Sequence, residues 1–257
     1  MNPTIKEGTT IWVSNSMAAW EYINEAFLFG NDENIRFLSG HNCLYAYDVV
    51  LGIRKPIVDP DFDFGRNFNY TKNKWKSLVA NYINYQELNE IREEVKKESS
   101  KGKSKVYNLA LQFTNNHKHG KNCLLSMVFS HRYTDSKPTI TVFLRASEVT
   151  KRLICDLLLF QRIGEYVYGD EKFQLVIHFN QLFNDDAVLL MYHVHSDVKD
   201  LLQGFSSPRA KNLLELLKKL QSKNPEDIKY KIHRRAAKVL HPELCKYPKT
   251  LAKDCTL

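Results

Sequence analysis

The stretch from Lys121 to Arg162 contains a cysteine, Cys123, that could carry out covalent chemistry. It follows a Gly-Lys-Asn turn and precedes an apolar segment. The nucleophilic form of cysteine is the thiolate, and the cationic side chains nearby in the sequence would lower its pKa. A free cysteine is also a common small residue of protein cores. Position alone therefore leaves a nucleophile and a buried structural residue as the two interpretations of Cys123.

Arg145 follows 22 residues later, between Leu144 and Ala146 in a second apolar segment. A buried guanidinium needs a partner, and a phosphate group matches its planar fork of donors. Alternatively, Arg145 lies at an exposed strand end or pairs with a structural carboxylate. The residue is a candidate phosphate ligand with these alternatives open.

Asp156 lies a further 11 residues along, inside the apolar run "LICDLLLF". A buried carboxylate without a partner is costly, so Asp156 is expected to form a specific hydrogen bond. The partner is either a substrate or Arg152, which stands four residues earlier on the same predicted helix.

The elements that position these residues are predicted from the periodicity of apolar residues. Alternation predicts strands at 105–113, 123–131, 139–146, 173–180 and 188–195, of which the second and third form a hairpin. Helical spacing predicts one amphipathic helix over 75–98, a buried helix that ends near Gly169, and a third helix over 208–222. Residues 1–70 are predicted to be irregular with short strands. The predicted fold class is α+β, a mostly antiparallel sheet with a buried central helix.

Composition indicates one compact domain over residues 1–257, with a core at 75–195 and a C-terminal helical region at 205–257. The five cysteines are odd in number and form no Cys-x-x-Cys pair, which predicts free thiols in a reducing compartment. No secretory leader precedes them, and no apolar run approaches the ~18 residues of a membrane span. The sequence predicts a soluble, cytoplasmic protein without a membrane partner.

The net charge of +8 favours an anionic partner such as a nucleotide, a phosphate ester or nucleic acid. The basic residues are dispersed, however, in the segments "KKESSKGKSK", "ELLKKLQSK" and "KYKIHRRAAK". Dispersed basic residues usually form solvated faces, so the charge is equally compatible with a role in solubility.

The order of cysteine, hairpin, arginine and a buried helix with a polar residue resembles the thymidylate synthase superfamily, which includes the pyrimidine nucleotide hydroxymethylases. The family pattern runs Pro-Cys-His, then Gln-Arg-Ser-x-Asp, then Pro-Phe-Asn. Cys123, Arg145 and Asp156 match its cysteine, arginine and amide positions. The segment "KGKSKVYNLALQF" resembles the one with the family's phosphate-binding Arg-Arg pair, and "GDEKFQLVIHFNQLFND" resembles the one with its His-x-Tyr sugar contact. The flanking Gln and Ser and the catalytic glutamate of the family have no evident counterpart.

This resemblance implies a thymidylate-synthase-like fold and a specific chemistry. Cys123 would add to C6 of a pyrimidine nucleotide monophosphate, and 5,10-methylenetetrahydrofolate would donate a carbon to C5. Arg145 would hold the phosphate, with Lys103 or Lys105 supplied across a homodimer interface, and His178 would contact the sugar. An aspartate at position 156 implies that dCMP is favoured and that C5 is hydroxymethylated rather than methylated, because a carboxylate accepts a hydrogen bond from the amine of cytosine. A bacterial or virus-infected cell would be the setting for such an enzyme of DNA modification.

Two other functions remain open from the sequence. The His-x-His pairs at His117 and His119 and at His193 and His195 are compatible with a zinc or iron site, although a third ligand is not evident and no metal is predicted. The second alternative is a catalytically inactive protein of the same fold that binds nucleic acid or another protein. For that function, the tail "KYKIHRRAAKVLHPELCKY" and two tyrosines would supply phosphate contacts and stacking, namely Tyr166 and Tyr168.

Overall fold

In the computed structural model, the described part of the chain forms an open, mostly antiparallel sheet. Helices pack against one face of this sheet. The structure describes residues 5, 10–29, 36–38, 43–68, 70–101, 106–113, 123–131, 137–184 and 248–257. In chain order the elements are β1 (Thr10–Asn15), α1 (Ser16–Phe29), β2 (Arg36–Leu38), β3 (Cys43–Lys55), α2 (Phe64–Phe68), α3 (Lys72–Tyr82), α4 (Tyr85–Ser99), β4 (Tyr107–Gln112), β5 (Leu124–His131), β6 (Thr139–Leu144), β7 (Ser147–Glu148), α5 (Arg152–Tyr168), β8 (Gln174–Asn184) and a 3-10 turn at Ala252–Asp254. The predicted α+β class is confirmed.

The strands are ordered β1-β3-β8-β6-β5-β4, with β2 paired to β3 and β7 paired to β8. The pairs β2/β3, β3/β8, β4/β5 and β5/β6 are antiparallel, whereas β1/β3, β6/β8 and β7/β8 are parallel. The predicted hairpin is confirmed as β5/β6. Because β6 and β8 are parallel neighbours, α5 is the crossover that connects them and lies across the sheet.

Helix α5 is buried as predicted, with apolar side chains on almost every side. Its first turn is capped by Glu148, whose carboxylate accepts from the main-chain N–H groups of Thr150, Lys151 and Arg152 at 2.9 to 3.3 Å. At the other end, Gly169 adopts a positive φ of 62° and its N–H donates to the carbonyl of Glu165. Glycine accepts this conformation without strain, so it ends the helix at the predicted place.

The two faces of the sheet differ in burial. Leu51, Val142 and Ile177 are fully buried under the helices. On the opposite side of β1, β3, β6 and β8, five side chains lie next to one another, and we call this surface the outer face. It consists of Trp12, Val50, Phe143, Val176 and His178. None of the described elements covers it, and Trp12 and Phe143 are 44% and 37% exposed. The sheet therefore separates a helix-covered core from a half-exposed apolar surface.

The single helix predicted over 75–98 is wrong, because the chain breaks between α3 and α4. Ile83 is extended, and Asn84 is the N-cap of α4. The Asn84 side chain accepts from the N–H of Gln86 and donates to the carboxylate of Glu87. This cap gives the second helix its own start, and the Asn-x-x-Glu pattern is its sequence signal.

The prediction of an irregular N-terminal region is also wrong. Residues 16–29 form the 14-residue helix α1, and residues 43–55 form the 13-residue strand β3. Trp20, Ile23 and Phe27 are buried at helical spacing, and the Asn15 side chain accepts from the N–H of Ala18 at the start of α1. The density of Asn, Asp and Gly hid a helical pattern that packs against the core.

The last ten residues pack against the helical side. The indole N–H of Trp75 donates to the carbonyl of Thr256, and the Arg162 guanidinium donates to the carbonyls of Cys255 and Ala252. The rest of the predicted C-terminal helical region, the helix over 208–222 and the strand over 188–195 all lie outside the described residues. The single domain over 1–257 stays a prediction.

Candidate functional site

Cys123 and Arg145 lie side by side at one end of the β5/β6 hairpin. The main-chain N–H of Arg145 donates to the carbonyl of Cys123 at an N···O distance of 2.7 Å. The pairing becomes irregular next to them, because the register shifts between Leu124 and Ser126, and such a bulge changes the direction of a strand end. The Arg145 side chain is exposed, as expected for the strand-end alternative.

Cys123 is the accessible thiol among the three cysteines whose side chains the structure describes. All three are free, and Cys123 is half-buried whereas Cys155 and Cys255 are buried. Burial raises the pKa of Cys155 well above its usual value and that of Cys255 to about 11, so both remain thiols at neutral pH. Of these three, Cys123 is the candidate for nucleophilic chemistry.

Asp156 is buried on α5 and has two partners from the chain itself. The hydroxyl of Ser147 donates to its Oδ2 at 2.9 Å. The Nε of Arg152 lies 3.3 Å from its Oδ1, and the exposed fractions of the Arg152 and Asp156 side chains are 35% and 6%. The expectation of a specific partner is confirmed, and Arg152 is the partner that the helical spacing allowed.

Burial dominates the electrostatics of Asp156. It raises the pKa of Asp156 to about 6, against the lowering effects of Arg152 and of the hydrogen bond from Ser147, while the nearby Glu148 raises it further. Arg152 is held in its charged form, because the attraction of Asp156 raises its pKa against the effect of burial. At neutral pH the two side chains therefore form an ion pair in which Asp156 is buried and Arg152 is half-buried.

Tyr82, at the end of α3, connects the cysteine with this ion pair. Burial raises the pKa of Tyr82, and electrostatic interactions with Cys123 and Asp156 raise it further. The positive charge of Arg152 and a hydrogen bond with the main chain of Cys123 act in the opposite direction. The neighbours of one hydroxyl thus include the candidate nucleophile and both members of the ion pair. The sequence placed Tyr82 on a helix face without any signal of this position.

An open cleft of about 430 Å³ lies between α3 and the first turn of α5. Its polar lining comes from Tyr70, Lys74, Ser77, Asn81 and Arg152. Burial raises the pKa of Tyr70 far above its usual value, so its hydroxyl is neutral. Of the two residues of the ion pair, Arg152 lines this cleft and Asp156 does not.

A second pocket of about 220 Å³ lies between α3, α4 and the end of β4. Its walls include the rings of Tyr82 and Phe113, which meet edge to face with centroids 6.3 Å apart. The side chains of Asn84 and Gln112 add amide groups. Aromatic walls with a few polar groups suit a flat heterocycle.

His178 lies on the outer face, away from this arrangement. It is paired with Phe143 across β6 and β8, and the two rings stack with centroids 4.9 Å apart. Burial lowers the pKa of His178, which favours the neutral ring. Because α5 covers the opposite side of the sheet, the structure does not bring His178 together with Asp156.

The remaining candidates are partly outside the described residues. Lys103 and Lys105 lie there, as do the histidines of both His-x-His pairs. Within the ranges that the structure describes, no group of three or more His, Cys, Asp or Glu side chains is arranged to hold a metal ion.

The two tyrosines proposed for base stacking are engaged within the chain. Tyr168 is 8% exposed and packs against the ring of Phe173. Tyr166 donates its hydroxyl to Asn89, and the Arg92 guanidinium lies 5.0 Å from the centre of its ring. Tyr168 is therefore too buried to stack on a base. The Arg92 guanidinium already lies against the Tyr166 ring, where a base would have to stack.

The site and fold define a mixed α+β protein with an open, mostly antiparallel sheet, a half-buried cysteine at one strand end and an ion pair between Arg152 and the buried Asp156. No helix in the described ranges has the length and apolar character needed to cross a membrane. No family model matches the chain, and a comparison with curated proteins also gives no match.

Proposed function

We propose that this chain is a thymidylate-synthase-like pyrimidine deoxynucleotide C5 hydroxymethyl- or methyltransferase, with dCMP as the favoured substrate. The observation that carries the proposal is the 2.7 Å hydrogen bond between the main chains of Arg145 and Cys123. It puts a candidate nucleophile and a candidate phosphate ligand at one strand end, as an enzyme acting on a nucleotide monophosphate requires. Tyr82 and the Asp156 pair lie close enough to influence the same site.

In this mechanism Cys123 acts as a covalent catalyst. Its thiolate adds to C6 of the base, and the electron pair of the C5–C6 double bond moves to C5 and forms the new carbon–carbon bond. C5 then loses its proton, the carbon–nitrogen bond to the donor breaks, and water adds to the transferred carbon as the thiolate leaves C6, which gives the hydroxymethyl product. A hydride in place of the water would give the methyl product. Arg145 would hold the phosphate through charge-assisted hydrogen bonds, joined by Lys103 or Lys105 of a second copy.

The one-carbon donor in the proposal is 5,10-methylenetetrahydrofolate, which supplies a methylene group when bound. We assign the pterin to the pocket beside Tyr82 and Phe113, because these rings and the amide of Gln112 line it; the Asn84 amide there is already bonded at the start of α4. The residues of this pocket would orient the ring beside the reacting carbon.

Asp156 would read the exocyclic amine of cytosine in this proposal. Each of its carboxylate oxygens has one partner in the chain, Ser147 or Arg152, and an ionised carboxylate offers about four acceptor sites. A further lone pair can therefore accept from the amine. An amide at this position could instead pair with the N3–H and O4 of uracil.

The test is calorimetric binding of dCMP and dUMP to the wild-type protein and to Asp156→Asn. We expect a preference for dCMP in the wild type that moves toward dUMP in the variant by roughly tenfold, as for other good base contacts. Asp170→Asn, an exposed aspartate beyond the end of α5, is the matched control and should bind like the wild type. Failure of both nucleotides to bind would overturn the proposal.

A homodimer is part of this proposal, and the outer face is the surface that we assign to it. The face is apolar at its centre, and a nearly neutral apolar surface is complementary to a second copy of itself. The Trp12 ring lies over Gly52, where an added Cβ would stand 2.5 Å from ring atoms, so the face is flat there. The Arg54 guanidinium lies over the Trp12 ring at 5.4 Å from its centre, so one cation is stacked on the aromatic part of this face.

Phe143→Asp is expected to convert the dimer to a monomer, because it puts a charge in the centre of this surface. The measurement is the molar mass from light scattering during size-exclusion chromatography. Ile57→Asp changes a similarly exposed apolar residue outside the sheet and should leave the dimer intact. A monomeric wild type, or dissociation by both variants, would contradict this assignment.

A second candidate function is a protein of the same fold that binds nucleic acid or another protein without turnover. The pairing of Asp156 with Arg152 favours it, because a carboxylate satisfied within the chain needs no substrate. Under this function Cys123→Ser would leave binding of the macromolecule intact, and neither dCMP nor dUMP would bind.

A further inference from the structure

The open cleft between α3 and α5 combines two cationic side chains with neutral hydrogen-bonding groups. Arg152 and Lys74 line it together with Ser77, Asn81 and the neutral hydroxyl of Tyr70. Cys123 and Arg145 are not among its lining residues, so the cleft is distinct from the strand end that carries the proposed nucleophile. Its function is not explained by the chemistry at Cys123.

Arg152 is fixed at the wall of this cleft by the groups behind it. Its Nε faces Oδ1 of Asp156 at 3.3 Å, and the other oxygen of Asp156 accepts from Ser147. Among the described residues, no hydrogen bond involves the two terminal nitrogens of Arg152. A guanidinium held along one edge can present its remaining donors as a pair, at a small additional cost in conformational entropy.

The charges around the cleft favour an anion. Lys74 and Arg152 carry two positive charges on its lining, and Asp156 lies behind Arg152 with only 6% of its side chain exposed. Glu148 is also nearby, but its carboxylate is bound to the first N–H groups of α5. The start of the helix is thereby occupied, and the anion site depends on the two side chains rather than on the helix terminus.

We propose that this cleft is an oxyanion-binding site for a phosphate or carboxylate group of a small organic ligand. The Arg152 fork binds two oxygens of the ligand, and Lys74 neutralises its charge from α3. Asn81 lies on the same helix face as Lys74 and can donate its amide to a remaining oxygen, whereas the hydroxyl of Ser77 already donates to the carbonyl of Asn73. Asp156 is a positioning residue in this site, because it acts on the ligand through Arg152. The inference does not depend on covalent chemistry at Cys123.

The test is calorimetric titration of the full-length protein at low ionic strength with phenyl phosphate and, separately, with benzoate. The two probes share a ring and differ in the oxyanion, so their affinities distinguish a phosphate site from a carboxylate site. We expect Lys74→Gln to weaken the preferred probe roughly tenfold, as for the loss of a charge-assisted hydrogen bond. Arg152→Lys keeps the charge beside Asp156 but removes the fork, and it should also weaken binding.

Lys76→Gln is the matched control, because Lys76 is exposed on the same helix and does not line the cleft. It should bind like the wild type, which separates a local site from general attraction to a basic protein. The proposal is overturned if neither probe binds at about 10 mM, or if Lys74→Gln and Lys76→Gln have equal effects. If phenyl phosphate binds but neither dCMP nor dUMP does, the result would support this inference and refute the proposed transferase.

Discussion

Replacing Arg152 by glutamine is expected to lower the free energy of unfolding by about 1–3 kcal/mol at pH 7.5, less than for a fully buried ion pair because the Arg152 side chain is 35% exposed. The substitution removes the cation that faces Asp156 at 3.3 Å and leaves the buried carboxylate with Ser147 as its partner. An uncompensated buried charge is among the most destabilising changes that a single substitution can make. Urea denaturation followed by circular dichroism measures the loss.

The loss should depend on pH in a direction fixed by Asp156. Burial raises its pKa to about 6 in the folded protein, from 3.8 for the unperturbed group, and removal of Arg152 takes away an influence that lowers it. The folded state therefore binds the proton more tightly than the unfolded state. The stability that the folded protein gains from this tighter binding of the Asp156 proton is fully present below about pH 4 and is lost as the pH rises through 6. The deficit of Arg152→Gln relative to the wild type should be large at pH 7.5 and should shrink toward pH 4.5.

Two variants make this prediction specific to the ion pair. Lys151→Gln removes the same charge one residue away and should change stability by less than about 0.5 kcal/mol. Arg152→Gln combined with Asp156→Asn leaves no buried charge and should recover most of the loss. An equal deficit at both pH values, or a double variant as unstable as the single one, would show that Arg152 contributes by packing rather than by charge.

The parts of this fold that could be predicted from the sequence are those with one clear local pattern of apolar residues. Strict alternation marked β5 and β6, and continuous apolar character with a final glycine marked α5. Asp156 was identifiable because an acid within an apolar helix must have a partner, and Arg152 stood at the correct helical spacing. These inferences depend on residues within one or two turns of each other.

The errors have equally local causes. Helices α3 and α4 share a compatible apolar spacing, so their apolar pattern alone predicts one helix, and the Asn84 cap is what separates them. In the N-terminal region, the polar residues between β1, α1 and β3 outweighed a helical pattern at Trp20, Ile23 and Phe27. Tyr82 could not have been predicted as a link between Cys123 and Asp156, because its position depends on how α3 packs against the hairpin. The cleft likewise combines residues from separate helices, Lys74 and Arg152.

The site contains an accessible nucleophile and a buried carboxylate, and their different exposure bears on function. The half-buried thiol of Cys123 has access that Cys155 and Cys255 lack, whereas Asp156 is reached from the cleft through Arg152. A ligand that contacts Arg152 would therefore influence Asp156, and through it the surroundings of Tyr82.

Cys123→Ser is expected to reduce formation of C5-modified dCMP by a factor on the order of 10⁴ or more, while dCMP binding stays nearly unchanged. A hydroxyl at this position is a much weaker nucleophile toward C6, but it fills nearly the same volume as the thiol. The measurement pairs product analysis, with dCMP and 5,10-methylenetetrahydrofolate, with calorimetric binding of dCMP to the same preparations.

The covalent step itself is tested by the intact mass of the protein after incubation with 5-fluoro-dCMP and the same folate. Fluorine at C5 cannot leave as a cation, so the adduct between the thiol and C6 should persist and add its mass to the wild-type protein. Cys255→Ala removes a buried thiol instead and should still form the adduct, whereas Cys123→Ser should form none. Nucleotide binding without any adduct in the wild type would reject covalent catalysis by Cys123 and favour the protein without turnover. An adduct formed as readily in Cys123→Ser as in the wild type would place the nucleophile on another residue, because the serine hydroxyl is a much weaker nucleophile toward C6.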